Sequence, residues 1–323
     1  MDLLDRKLLT VLQIDFPLTI KPFQSLARKL GTDEKNILDR TSRLKEQGII
    51  RQISAIFDSA SIGYQSTLIA FKVPAKKLAE AAALISANAG VSHNYERTGK
   101  YNLWFTLTLP KSKDLRAEAQ KLADAATVVD WLFLPALRTF KIKFQLDLSG
   151  TRQSVSVPLK LAPNRSTNRA VKVPQSFIRE LQKDLPVVSR PYKDIAGALT
   201  ITESEVVARI KKYIDSGAIR RIAAVLRQKK AGFPANVMVA WAPPENLKDD
   251  LARCAVQQQK ISHCYERPSS TKWPYSIYTM IHGKTMAECS RVIKTVSAQS
   301  GVKQFSLLST VREFKKVRVQ YYS

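Results

Sequence analysis

Histidine and cysteine are scarce, at three of each in 323 residues. Cys254, Cys264 and Cys289 form an odd set without a Cys-x-x-Cys pair, which excludes a disulfide framework, a structural zinc and an iron–sulfur centre. No apolar run approaches the roughly 18–20 residues of a membrane span, so a membrane is excluded as a partner. The opening stretch MDLLDRKLL is amphipathic and has no signal-peptide core, and the expected compartment is the cytoplasm. No glycine-rich nucleotide motif is present. Acid is also short: 27 Asp and Glu stand against 52 Lys and Arg, a net charge of +25. That excess points to a polyanionic partner or to solubility alone. Nucleic acid would satisfy it, and so would a small ligand with many carboxylates.

What the chain does have is apolar content, at 45%, enough to bury real cores. It also repeats itself. Gly48-Ile49-Ile50-Arg51-Gln52-Ile53 reads against Gly217-Ala218-Ile219-Arg220-Arg221-Ile222, and Gly63-Tyr64 against Gly232-Phe233 at the same spacing. Further on, His93-Asn94-Tyr95-Glu96-Arg97 matches His263-Cys264-Tyr265-Glu266-Arg267, and Arg138-Thr139-Phe140-Lys141 matches Arg312-Glu313-Phe314-Lys315. So long a period is not a solenoid; it is a tandem fusion of two homologous units. Between them lies a Ser-, Pro- and Arg-rich stretch with five basic residues and no acidic one over 151–172, which reads as a basic linker.

Each unit divides again. Leu4, Leu8 and Leu12 recur at helical spacing, a second short helix closes at Gly31, and Thr32 can cap a third that ends at Gly48. In the second unit Thr202 and Glu205 form a capping box. Short helix, tight turn and longer helix outline a winged helix-turn-helix. The remainder alternates strand and helix in a βαββαβ order, which predicts an antiparallel sheet with two helices on one face. The expected class is α+β, a tandem repeat of winged helix-turn-helix plus ferredoxin-like units. Its parts are a first helix-turn-helix domain (1–50), a first ferredoxin-like domain (51–148), a linker (149–173), a second helix-turn-helix domain (174–219) and a second ferredoxin-like domain (220–323).

This architecture resembles the Lrp/AsnC regulators across both units. The central motifs are more specific. Ser92-His93-Asn94-Tyr95-Glu96-Arg97 followed by Tyr101-Asn102-Leu103-Trp104, and Ser262-His263-Cys264-Tyr265-Glu266-Arg267-Pro268 followed by Trp273-Pro274-Tyr275 and Met280-Ile281-His282-Gly283, resemble the siroheme decarboxylases. The resemblance implies removal of carboxyl groups from siroheme acetate side chains, to didecarboxysiroheme, in alternative haem or d-type haem formation. It implies siroheme as partner, no cofactor beyond the iron that siroheme carries, and a subunit pair fused in one chain. Whether such chains assemble further is open. In one place the chain departs from the family pattern: a histidine expected shortly before the first Tyr-Asn pair is replaced by Thr98-Gly99-Lys100. Its role is absent or passes to Lys100.

The residues support a tetrapyrrole pocket independently. Strand alternation puts His93, Tyr95 and Arg97 on one face, and His263, Tyr265 and Arg267 on one face, with Glu96 and Glu266 opposite. Imidazole can ligate iron or donate a proton, so His93 and His263 are the candidate catalytic residues, with either as a candidate ligand of the substrate iron. Tyr95 and Tyr265 offer flat contact, and arginine binds carboxylates bidentately. Arg97, Arg267, Arg138 and Arg312 are the candidate carboxylate binders, with Lys100 beside them. Trp273, in an insertion that only the second unit carries, can close over a ring. His282 reads either as a strand-end histidine or as a pocket member, Cys264 as core, and Trp104-Phe105 as sheet packing. The competing function is DNA binding. The recognition-helix N-termini carry Asp33-Glu34 and Glu203-Ser204-Glu205, which would repel phosphate, so DNA is disfavoured.

Overall fold

The computed structural model describes residues 1–142 and 172–322. The predicted linker lies outside the described residues except for its last two positions.

In the first unit, α1 (Leu3–Ile14), α2 (Pro22–Leu30) and α3 (Glu34–Glu46) form the helix-turn-helix. Asp2 and Asp5 cap α1 reciprocally, and Gly31 ends α2 in the left-handed conformation at φ 70°. The cap of α3 is Asp33, one residue later than the sequence predicts; its carboxylate accepts from the Asn36 amide, while Thr32 accepts from the Asn36 side chain. Then follow β1 (Ile50–Phe57), β2 (Tyr64–Phe71), α4 (Leu78–Ala87), β3 (Val91–Arg97), β4 (Leu103–Pro110), α5 (Leu115–Ala125), β5 (Trp131–Pro135) and β6 (Arg138–Ile142). The second unit repeats the plan with α6 (Gln175–Leu181), α7 (Lys193–Leu199), α8 (Glu203–Asp215), β7 (Ile219–Leu226), β8 (Ala235–Trp241), α9 (Lys248–Gln257), β9 (Ile261–Glu266), β10 (Ile277–Gly283), α10 (Met286–Ser300) and β11 (Phe305–Lys316).

Two features go beyond the sequence expectation. First, β1 and β7 do not open the ferredoxin-like sheets. They pair antiparallel with each other as a separate ribbon. Ile53 and Phe57 on β1, and Ile219 and Ile222 on β7, are buried with Leu8, Phe23, Phe177 and Ile210, so both helix-turn-helix domains share one core. Apolar burial fixes which face of each strand is covered, and here the cover comes from the other unit.

Second, the last strand of each unit is exchanged. The sheet order is β5-β2-β4-β3-β11-β8-β10-β9-β6. Phe305–Ser309 of β11 pair with β8 of their own unit, and Thr310–Lys316 pair with β3 of the other. In the same way β5 pairs with β2 and β6 with β9. Since β5 and β6 are consecutive along the chain, the sheet curls until its two ends meet. The outer faces carry the helices over Val91, Leu103 and Leu107 in one half and Val239, Ile261 and Ile281 in the other. The inner faces enclose Tyr101, Trp104, Met238, Trp273 and Tyr278.

Candidate functional site

A cavity of about 470 Å³ opens between the two inner faces. Both predicted triplets line it: His93, Tyr95 and Arg97 from β3, and His263, Tyr265 and Arg267 from β9 and its end. His282 lines it too, so all three histidines of the chain meet one cavity. Alternation along the strands produces this, since residues at i, i+2 and i+4 share a face. The planar groups form a ladder. Ring centroids of His93 and Tyr95 are 6.1 Å apart, and the Arg97 guanidinium lies 5.1 Å from the Tyr95 ring. The second unit repeats this at 5.9 Å and 4.9 Å.

A β-bulge sits beside each histidine. The register slips between Val91 and His93, and again at Ser262, between the His263 and Ile261 pairings. A bulge turns two successive side chains toward one side. Ser92 thereby places Oγ 2.9 Å from His93 Nδ1, and Ser262 places Oγ 2.7 Å from His263 Nδ1. Ser262 also lies 2.9 Å from His282 Nε2, giving the chain His263–Ser262–His282. In the first unit Thr108 occupies the place of His282 and bonds Ser66 instead, at 3.0 Å. The paired Ser-His order in both repeats was the sequence signal for these serines.

Burial keeps the imidazoles neutral. Withdrawal from water, reinforced by nearby Lys316, Arg51 and Arg97, brings His93 down to about 4. Burial, with Arg220, Arg267 and Lys141, does the same to His263. His282 falls to about 3, again chiefly through burial. Burial pushes Cys264, on the helix side beside His263, up to about 12, an inert core thiol as the sequence suggests.

Neither arginine has a carboxylate partner among the described residues, although Arg97 is buried and Arg267 half-buried. Arg97 is 5% exposed. Its Nη1 donates to the Leu308 carbonyl at 2.9 Å and to Thr310 Oγ1 at 3.0 Å. Arg267 donates to the Leu134 carbonyl. The Nε of each makes no hydrogen bond among the described residues. Burial drags the Arg97 guanidinium down to about 10 and lowers Arg267 likewise. An unpaired buried cation costs several kcal/mol, about 3–5 when a partner is lost, so these groups call for an anion. Among the described residues lining the cavity there is no Asp or Glu.

The other expected site residues lie elsewhere. Arg138 pairs with Asp249 and, at 3.2 Å, with Glu266; Arg312 lies 3.7 Å from Glu96. Both sit opposite those glutamates in the strand register, on the face turned away from the cavity. They pin the exchanged strands to the other unit. Lys100 is 3.7 Å from Asp130 and outside the cavity. Trp273 does not line the cavity either. It fills the interior behind it, with ring centroids 5.3 Å from Tyr101 and 5.9 Å from Trp104, and donates to the Tyr278 hydroxyl at 2.6 Å. Trp104, read as packing, does both jobs: it packs on Trp273 and lines the cavity. Lys316, unremarked in the sequence, lines the cavity. Its repeat counterpart is Ile142, so the duplication gave no signal for it.

The helix-turn-helix surfaces are partly committed to the fold. On α3, Arg40 bonds Asp2 and Asp5, and Arg43 bonds Asp5. On α8, Glu203 is buried against Arg190 and Glu205 completes the capping box, while Lys211 and Lys212 stay exposed. The acids at the α8 N-terminus are therefore structural, and on α3 Asp33 is the cap.

The AsnC-like ligand binding domain family matches residues 61–141 and 230–315, and the siroheme decarboxylase NirDL-like HTH domain family matches 5–51 and 175–220. Over 318 residues the chain is 37% identical to a siroheme decarboxylase of Hydrogenobacter thermophilus, covering 98% of this chain and 94% of that one. Over 152 residues it is 45% identical to the siroheme decarboxylase alpha subunit of Desulfovibrio desulfuricans, covering 46% of this chain and 86% of that subunit. A crystal structure of the siroheme decarboxylase NirDL in co-complex with an iron-uroporphyrin III analogue superposes with a TM-score of 0.74 at 33% identity, over 100% of this chain and 95% of that one. Fold and cavity thus define a tandem AsnC-like protein whose two halves enclose one anion-seeking site. The chain belongs to the siroheme decarboxylase family.

Proposed function

We propose that this protein removes CO2 from acetate side chains of siroheme, giving didecarboxysiroheme for haem or d-type haem formation. One observation carries the reading: the cavity gathers His93, His263, His282, Arg97, Arg267 and Lys316, and no carboxylate among the described lining residues. That set suits an iron tetrapyrrole with many carboxylates.

The arginines hold carboxylates that stay. In each triplet Nδ1 of the histidine faces serine, leaving Nε2 to meet the substrate. One of His93 and His263 ligates the substrate iron and the other protonates carbon. The bond between the methylene and its carboxylate breaks, CO2 leaves, and the electron pair remains on the methylene, spread into the conjugated ring. The imidazolium Nε2 then gives its proton to that carbon. The ring itself is the electron sink, so no organic cofactor and no oxidant is needed. A polyanion entering the cavity offsets the burial that keeps these rings neutral and draws a proton onto them. Met238 and Met280 add apolar wall against which a carboxylate loses hydration that CO2 does not need.

Anaerobic incubation with siroheme, followed by mass spectrometry, should show stepwise loss of the mass of CO2. His263→Ala should abolish it. Full decarboxylation by His263→Ala would remove that residue from the mechanism.

A further inference from the structure

The two ends of the cavity are built alike but charged differently. Lys316, the last residue of β11, stands opposite His93 in the strand register, and the equivalent position opposite His263 is Ile142. Ordinary strand alternation points the neighbouring lysines, paired with Asn94 and His93, to opposite faces. Lys315 turns to the helix side and donates to the carbonyls of Ser86 and Asn88, while Lys316 turns into the cavity with 26% of its side chain exposed. Its short bond is to a neutral group, Gln228 Oε1, at 2.6 Å. The Glu313 carboxylate stands farther off, at 3.9 Å, and its residue lies across the strand register from Tyr95. Arg51 and Lys229 add positive charge around the ammonium, and no acid lines the cavity among the described residues.

We propose that Lys316 binds a tetrapyrrole carboxylate that is not removed, and so fixes which way round the macrocycle lies. The proposal rests on the decarboxylase reading above. Arg97 and Arg267 are repeat equivalents, each stacked on a tyrosine and each bonded to a backbone carbonyl of the other unit, Leu308 in β11 and Leu134 in β5. They grip a macrocycle equally well in either of the two orientations that the repeat relates. Lys316 has no such counterpart. It makes a charge-assisted bond in one orientation only, and that bond selects which acetates face the histidines. Gln228 gives up its bond to Lys316 when the carboxylate arrives.

The test uses the full chain with Lys316→Met, which keeps the stem without the charge, and Lys316→Arg. Thermal melts confirm that both fold. Binding of iron-uroporphyrin III is followed by its Soret band, and siroheme turnover under anaerobic conditions gives KM, kcat and, by NMR of the product, the positions of CO2 loss. Lys316→Met should weaken binding by about tenfold or more, raise KM more than it lowers kcat, and release CO2 from positions the parent leaves intact. Lys316→Arg should restore binding and product identity. Unchanged KM and an unchanged product for Lys316→Met would overturn the anchor even where the parent is fully active. If instead the parent releases no CO2, while Lys316→Met still loses iron-uroporphyrin affinity, the decarboxylase reading fails and the anchor stands.

Discussion

Arg97 of the first unit donates to the backbone carbonyl of Leu308 in the second, at 2.9 Å, and the repeat reproduces this bond as Arg267 to Leu134. One end of each guanidinium thus holds a strand of the other unit, β11 or β5, while Nε is buried and unbonded among the described residues. Arg97→Lys keeps the charge but cannot span both duties. It should lower affinity for iron-uroporphyrin III by about tenfold or more and lower the melting temperature as well. Soret titration and a thermal melt read the two effects separately.

Stability of the ligand-free protein should fall on mild acidification. His93 and His263 have folded values near 4 against an ordinary value of 6.5, so between these limits the unfolded chain binds more protons than the folded one. Their contribution is intact above 6.5 and is lost as pH falls toward 4. Each ring is worth on the order of 1–3 kcal/mol across that window. Urea unfolding at a series of pH values should show the decline, and a His93→Asn/His263→Asn double variant should reduce it, leaving the part that His282 contributes.

The two serines should not weigh equally. Ser92 orients one histidine, whereas Ser262 links His263 to His282. Ser262→Ala should lower kcat by about tenfold with little change in KM, and Ser92→Ala should cost less. Steady-state kinetics across pH will check this, since loss of a linked pair also alters the shape of the pH profile.

Arg138→Ala and Arg312→Ala should leave KM within about twofold of the parent. Both side chains pair with glutamates on the face away from the cavity. A large rise in KM for either would place it at the substrate after all.

How far the sequence reached depended on what repeats. The triplets His93-Tyr95-Arg97 and His263-Tyr265-Arg267 recur, and period-two alternation predicted correctly that each shares a face. Arg138 and Arg312 recur just as faithfully, yet the recurrence reflects a cross-unit ion pair rather than a ligand contact. Sequence spacing cannot distinguish those roles, because strand exchange decides what each arginine faces. The pairing of β1 with β7 was hidden for the same reason: its cover comes from residues some 170 positions away in the chain. Lys316 was invisible to comparison of the repeats, since its counterpart is isoleucine. The bulges at Ser92 and Ser262 leave no mark in alternation, although each serine stood next to its histidine in plain view.

The exchange of last strands also bears on how such a site can diverge. Neither half closes a cavity by itself, and β11 of the second unit brings Lys316 to His93 of the first. Were the halves separate chains, each could also pair with its own kind, and any change would then appear twice in such a pair. Joined in one polypeptide, they meet at high local concentration and in fixed proportion. Every molecule then carries one of each wall. Under that arrangement lysine can face isoleucine across the repeat, and His282 can face Thr108, so a near-symmetric enclosure can receive an asymmetric guest.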